Sequence, residues 1–268
     1  MARTDVAARS DRGRVREDNE DRWLAHAYGR TMLLAVADGV GGEPGGELAS
    51  DAAIKALARE FADARPRDGA RAALAGAIRK ANDAVLATAD GGHPFAASTL
   101  VAAAISGGEA AIANLGDSRA YIVRADAARQ VTTDHSGERA SSITRFVGDP
   151  RGVQPDIFVE RLERGDRLVL CSDGLTRHVG DAEIARAVRD EPAKAVAALV
   201  TLANERGGED NVTVVVYAAR GRRDALRAAL VVLLAIALGV ALGIAAATFA
   251  PAGTDRPAAP LPAATATP

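Results

Sequence analysis

Apolar positions along this chain come in two forms: short continuous runs bounded by Gly- and Asp-rich turns, and longer stretches of helical period. Thr31 to Ala37 is a continuous run that leads straight into Asp38, which predicts a strand. Gly46 to Ala64 predicts a helix, with Leu48, Ala52, Leu57 and Phe61 largely on one face. Asp68 to Ala89 predicts a second helix whose apolar side is Ala73, Ile78, Ala81 and Val85, and a Gly-Gly-His-Pro break follows at 91–94. Ser98 to Ile105, Ala110 to Asn114 and Arg119 to Arg124 predict strands joined by tight turns, an antiparallel meander. Asp134 to Pro155 is polar and irregular. Arg167 to Ser172 and Val212 to Tyr217 are strands, and Asp181 to Arg189 and Ala193 to Arg206 are helices, the first capped by Asp181. This order predicts an α+β class in which sheet layers are faced by helix pairs.

The C-terminal pattern is different. Ala228 to Ala250 is 23 residues without a charge, enough at about 1.5 Å per residue to cross a hydrocarbon core of about 30 Å. Arg220, Arg222, Arg223 and Arg227 precede it, and the Pro/Ala/Thr-rich tail holds one Arg and one Asp. The expectation is a main domain over 1–218, a basic juxtamembrane segment over 219–227, one transmembrane helix over 228–250 and a disordered tail over 251–268. The positive-inside rule puts the main domain in the cytoplasm and the tail outside the cell membrane. Gly239 and Gly243 add a small-xxx-small pair, a weak helix-association signal.

Composition narrows the function. Hydrophobic residues are 48% of the 268, while aromatics are 3%, so Val, Leu, Ile and Ala fill the core. Net charge is -2 from 33 basic and 35 acidic residues, with no nucleic-acid footprint. The single cysteine, Cys171, lies inside an apolar run and reads as a small buried hydrophobe in a reducing compartment. His135 and His178 read as surface or structural histidines.

Four short stretches place an Asp where a strand ends or turns: Ala37-Asp38-Gly39-Val40, Leu115-Gly116-Asp117-Ser118, Cys171-Ser172-Asp173-Gly174 and Gly208-Glu209-Asp210-Asn211. Taken singly, an Asp in such a turn bonds nearby backbone and needs no ligand. Taken together, ionised carboxylates at the ends of apolar strands suit hard, oxygen-seeking divalent cations. A fifth stretch, Arg14-Val-Arg16-Glu-Asp-Asn-Glu20-Asp21, adds basic residues and an acidic pair. A phosphomonoester resists hydroxide because both are anionic. Paired metal ions relieve that by neutralising the ester and lowering the pKa of a water, and Asp38 followed by Gly39 offers a shared carboxylate beside an unhindered backbone carbonyl.

In order and spacing, these five stretches make residues 4 to 218 similar to the metal-dependent Ser/Thr protein phosphatases of the 2C type, the bacterial membrane-tethered ones in particular. The resemblance implies an antiparallel β-sandwich flanked by helix pairs, in α-β-β-α order. It also implies hydrolysis of phosphoserine and phosphothreonine on proteins, with Mn²⁺ or Mg²⁺ as cofactor, two ions and a weaker third. Asp38, Asp173 and Asp210 would hold the first ion. Asp38 and the Gly39 carbonyl would hold the second, with Glu20 or Asp21 acting through water, and Asp117 and Asp173 the third. Arg16, ahead of Arg14, would grip the phosphate with its guanidinium fork. Asn211 would steady the Asp210 loop. Partners would be phosphorylated proteins, an opposing Ser/Thr protein kinase and the membrane through the C-terminal helix. A non-catalytic module that binds phosphoproteins is the alternative.

Two departures stand out. Val40 occupies the place where eukaryotic relatives often carry His, so no leaving-group acid is assigned. The segment between Asp134-His135-Ser136 and Ile143-Thr144-Arg145 is shorter than the usual flap.

Overall fold

A computed structural model describes residues 5–40, 44–89, 96–137 and 142–219. They fall in one compact unit, Met1–Gly221. The strands are β1 (Val6–Asp11), β2 (Asp21–Tyr28), β3 (Thr31–Val40), β4 (Ala97–Ser98), β5 (Leu100–Ser106), β6 (Glu109–Leu115), β7 (Arg119–Arg124), β8 (Ala127–Gln130), β9 (Asp156–Arg161), β10 (Arg167–Cys171) and β11 (Val212–Ala218). The helical elements are α1 (Pro44–Ala89), α2 (Asp173–Thr176), α3 (Asp181–Ala187) and α4 (Pro192–Glu205).

Two antiparallel sheets result, one in the order β1-β11-β10-β7-β8 and the other β2-β3-β5-β6-β9, with β4 paired to β3. Alternation along the strands builds three apolar layers. Leu34 and Val36 of β3 meet Ile122, Leu168, Leu170 and Val215 between the sheets. Leu33, Ala35 and Ala37 of the same strand face Leu57, Phe61, Leu74 and Ile78 of α1. On the opposite outside, Tyr121, Val169, Cys171 and Val214 pack against Ile184 of α3 and Leu199 and Val200 of α4. Both faces of the central strands are therefore covered, which is why they read as unbroken apolar runs rather than alternating ones. The α-β-β-α expectation describes this domain.

Several finer expectations need correction. The two expected helices are both present within Pro44–Ala89, but they abut at a kink at Gly69, whose φ of 76° and ψ of 168° leave the helical region. Leu57 and Phe61 are buried as expected, while Leu48 is 41% exposed and Ala49 and Ala53 complete the buried stripe in its place. The meander holds only for β5 and β6. At Gly116-Asp117-Ser118 the chain leaves one sheet for the other: β6 pairs with β9, and β7 pairs with β8 and β10. Gly116 has φ +109°, and a Cβ there would meet the Thr99 side chain at 2.7 Å, so only glycine fits this crossing. Gly180, not Asp181, precedes the first turn of α3, and its N–H donates to the Glu183 carboxylate. Among the described residues no helix is long and apolar enough to cross a membrane. The expected transmembrane segment 228–250 and the tail lie outside the described residues.

Candidate functional site

Both sheets send carboxylates to the same end of the sandwich. Asp21 opens β2 and lies opposite Asp38 near the end of β3. Asp117 sits in the crossing between the sheets. Asp173 follows β10, and Asp210 precedes β11. Short polar contacts fix these segments to each other. The Ser172 hydroxyl donates to Asp21 Oδ2 at 2.8 Å and accepts the Thr213 N–H at 2.9 Å, so one hydroxyl ties the two sheets together beneath the acids. The Thr99 hydroxyl accepts the Asp38 N–H at 3.1 Å and lies 2.7 Å from the Ser118 hydroxyl, which links Asp38 to the Asp117 turn.

Asn211 is a stitch. Its Oδ1 accepts the Glu20 N–H at 2.9 Å, and its Nδ2 donates to the carbonyls of Arg12 and Asp18 at 3.0 and 2.8 Å. The N-terminal stretch that carries Arg16, Glu20 and Asp21 is thereby laid along the Asp210 turn. Gly174 permits a second close approach, since a Cβ there would stand 2.0 Å from the Asn211 carbonyl oxygen. Gly39 permits a third, with the Gly46 carbonyl oxygen 2.3 Å from where its Cβ would be. The Gly39 N–H donates to the Glu20 carbonyl at 3.3 Å.

The electrostatics follow from this crowding. Burial, then the charges of Asp21, Asp173, Asp210 and Asp117, push the Asp38 carboxyl well above its ordinary range. Asp21 is 2% exposed, and burial raises it from 3.8 to about 7. Burial and the charge of Asp173 raise Asp117 from 3.8 to about 6. Burial raises Asp173 and Glu20 as well. Five aspartates thus act on one another in a half-dry space, a costly arrangement without a cation.

Two guanidiniums enter it. Arg16 pairs with Asp210 Oδ1 at 3.0 Å. Arg177, which sequence reasoning missed, pairs with Asp173 Oδ2 and, at 3.3 Å, with Asp210 Oδ2. Its signal was available in the sequence: it stands four residues after Asp173, where a helical turn places the two side chains together. Arg14 instead donates its backbone N–H to the Gly208 carbonyl at 2.7 Å.

The donor set fits a divalent cation. All candidate ligands are oxygens, and Asp21 Oδ1 and Asp117 Oδ1 are buried with no hydrogen-bond partner. As the side chains stand, no three acidic, His or Cys residues among those described converge tightly enough to hold an ion. Asp173 and Asp210 are turned to the arginines, and loading would require those pairs to open.

Beside the cluster, His135 is 8% exposed and has a structural role. Its Nδ1 accepts the Gly116 N–H at 3.1 Å, which leaves Nε2 to face Asp156 at 2.9 Å, with Arg145 against both. Cys171 is wholly buried, which pushes its thiol up to about 12 and leaves it inert. Nearby, the Gly137 N–H donates to the Ser142 carbonyl at 2.6 Å and the Thr144 N–H to the His135 carbonyl at 2.8 Å.

Comparison with known proteins agrees with this geometry. The family profile described as protein phosphatase 2C matches residues 10–212. The serine/threonine protein phosphatase PstP of Mycobacterium tuberculosis is 37% identical over 231 residues, which cover 78% of this chain and 44% of the relative. The chain therefore spans less than half of that relative's length. The serine/threonine phosphatase stp of Listeria innocua is 33% identical over 234 residues, covering 78% of this chain and 93% of the relative. A crystal structure of the catalytic domain of PstP in complex with two manganese ions superposes with a TM-score of 0.70 at 35% identity, covering 81% of this chain and 98% of that one.

The raised acids make a signed prediction. Folded Asp21 keeps a proton that the unfolded chain releases near 3.8, so its contribution to stability is full below that pH and is lost as pH rises to about 7. In chelator, the stability of Asp21→Asn relative to the unsubstituted chain should rise steadily between pH 4 and 7. Denaturant unfolding at stepped pH measures this, and a flat or falling difference would contradict the burial argument.

Proposed function

The chain belongs to the protein phosphatase 2C family, and from that premise we propose that it hydrolyses phosphoserine and phosphothreonine on proteins in a Mn²⁺- or Mg²⁺-dependent reaction. One observation carries the reading: five aspartates from both sheets meet at one end of the sandwich, with buried carboxylate oxygens that no donor in the described protein satisfies. Asp38, Asp173 and Asp210 would hold the first ion. Asp38 and the Gly39 carbonyl would hold the second, with Glu20 or Asp21 acting through water, and Asp117 and Asp173 would hold a weaker third. Bound there, the ions supply positive charge against the phosphate and make water more acidic.

The remaining work falls to the chain itself. Arg16 is 42% exposed on the rim, so its guanidinium can turn from Asp210 to a phosphate dianion and grip two of its oxygens. Asn211 and Ser172 keep the acids in place while the charges around them change. Val40 carries no titratable proton, and His135 is committed to Gly116 and Asp156, so neither protonates the leaving alkoxide.

A second reading, a module that binds phosphoproteins without turnover, draws on the pairing of Asp173 and Asp210 with arginines. Phosphate release from a phosphothreonine peptide separates the two. With Mn²⁺ the full chain should release phosphate. Chelator, Asp38→Ala or Asp173→Ala should each lower the rate at least about 100-fold, and Arg16→Ala should raise KM more than it lowers kcat. Binding of the peptide with no release at any metal concentration would establish the binding module instead.

We also propose that residues 228–250 anchor this domain at the cytoplasmic face of the cell membrane, where an opposing Ser/Thr kinase would share its substrates. The uncharged run and the four arginines before it support this. After alkaline carbonate washing the full chain should stay with the membrane pellet. Recovery in the supernatant would remove the anchor from the account.

A further inference from the structure

Arg177 touches two of the three candidate ligands of the first ion, Asp173 and Asp210. α2 is a single turn in which the Arg177 N–H donates to the Asp173 carbonyl at 2.9 Å, so the side chain folds back over Asp173. The turn cannot slide, because Gly174 is pressed against the Asn211 carbonyl. One guanidinium nitrogen then meets Asp173 Oδ2, and the other lies 3.3 Å from Asp210 Oδ2. Arg16 holds only the opposite oxygen of Asp210.

A guanidinium and a divalent cation compete for the same carboxylate oxygens and repel each other there. Resting on the phosphatase reading above, we infer that Arg177 is a resident counter-ion of the centre: it neutralises Asp173 and Asp210 when no metal is bound, and it must release both for metal to enter. Metal loading is then an exchange of one cation for another. The side chain is 45% exposed, which gives it open solvent to swing into. Arg177 sets how much free metal is needed to switch the enzyme on, and its removal acts with opposite sign on the two forms.

The test is Mn²⁺ titration by calorimetry on the full chain, alongside thermal unfolding in chelator. Arg177→Gln should bind Mn²⁺ at least about tenfold more tightly than the unsubstituted chain, since both the competing contact and the like charge are gone. The same variant should unfold at a lower temperature in chelator, because its acids have lost their counter-ion. Arg177→Lys, which keeps a point charge, should bind Mn²⁺ within about threefold of the unsubstituted chain. Equal or weaker Mn²⁺ binding by Arg177→Gln, with the unsubstituted chain binding normally, would overturn the inference and leave the phosphatase reading intact. If neither chain binds Mn²⁺, both fall.

Discussion

Carboxylates that share a poorly hydrated space repel one another, and the end of the sandwich where five of them meet is organised around that repulsion. No single segment could supply the group. Asp21 and Asp38 come from one sheet, Asp173 and Asp210 from the other, and Asp117 from the crossing between them. The packed layers hold the two sheets at fixed separation, so the energy of the apolar core keeps like charges together that would otherwise part. Acids raised by burial, buried oxygens with no donor, and arginines drawn inward are consequences of that one constraint.

Neutral polar groups hold the arrangement where charges alone would scatter it. Ser172 joins the sheets through Asp21 and Thr213, Thr99 and Ser118 join Asp38 to the crossing turn, and Asn211 fastens the N-terminal stretch. None of these groups changes charge when a cation enters or leaves. They suit a site whose geometry must survive both states, while the charged contacts of Arg16 and Arg177 are the ones that can exchange.

Much of this was legible in the sequence for a physical reason. The central strands are covered on both faces, so they appear as apolar runs, and the acids stand out at their ends. The edge strands β1, β2, β8 and β9 went unread, because half-exposed strands mix Arg, Asp, Glu and Ala with no clear alternation. The step between sheets at Gly116 looked like a hairpin turn, since Gly-Asp-Ser serves either purpose and only the partner strands decide. Arg177 was passed over for a related reason. Its meaning depends on Asp210, 33 positions away in the sequence, which closes on it only in the folded chain.

The chemistry of the acidic end of the sandwich depends on whether it holds metal. Diffraction from crystals of the chain grown with Mn²⁺, recorded at the manganese absorption edge, tests this directly. Anomalous peaks are expected among Asp38, Asp173 and Asp210, with Arg177 withdrawn from both Asp173 and Asp210. A site without an anomalous peak, in which Arg177 still bridges the two acids at saturating Mn²⁺, would contradict this expectation.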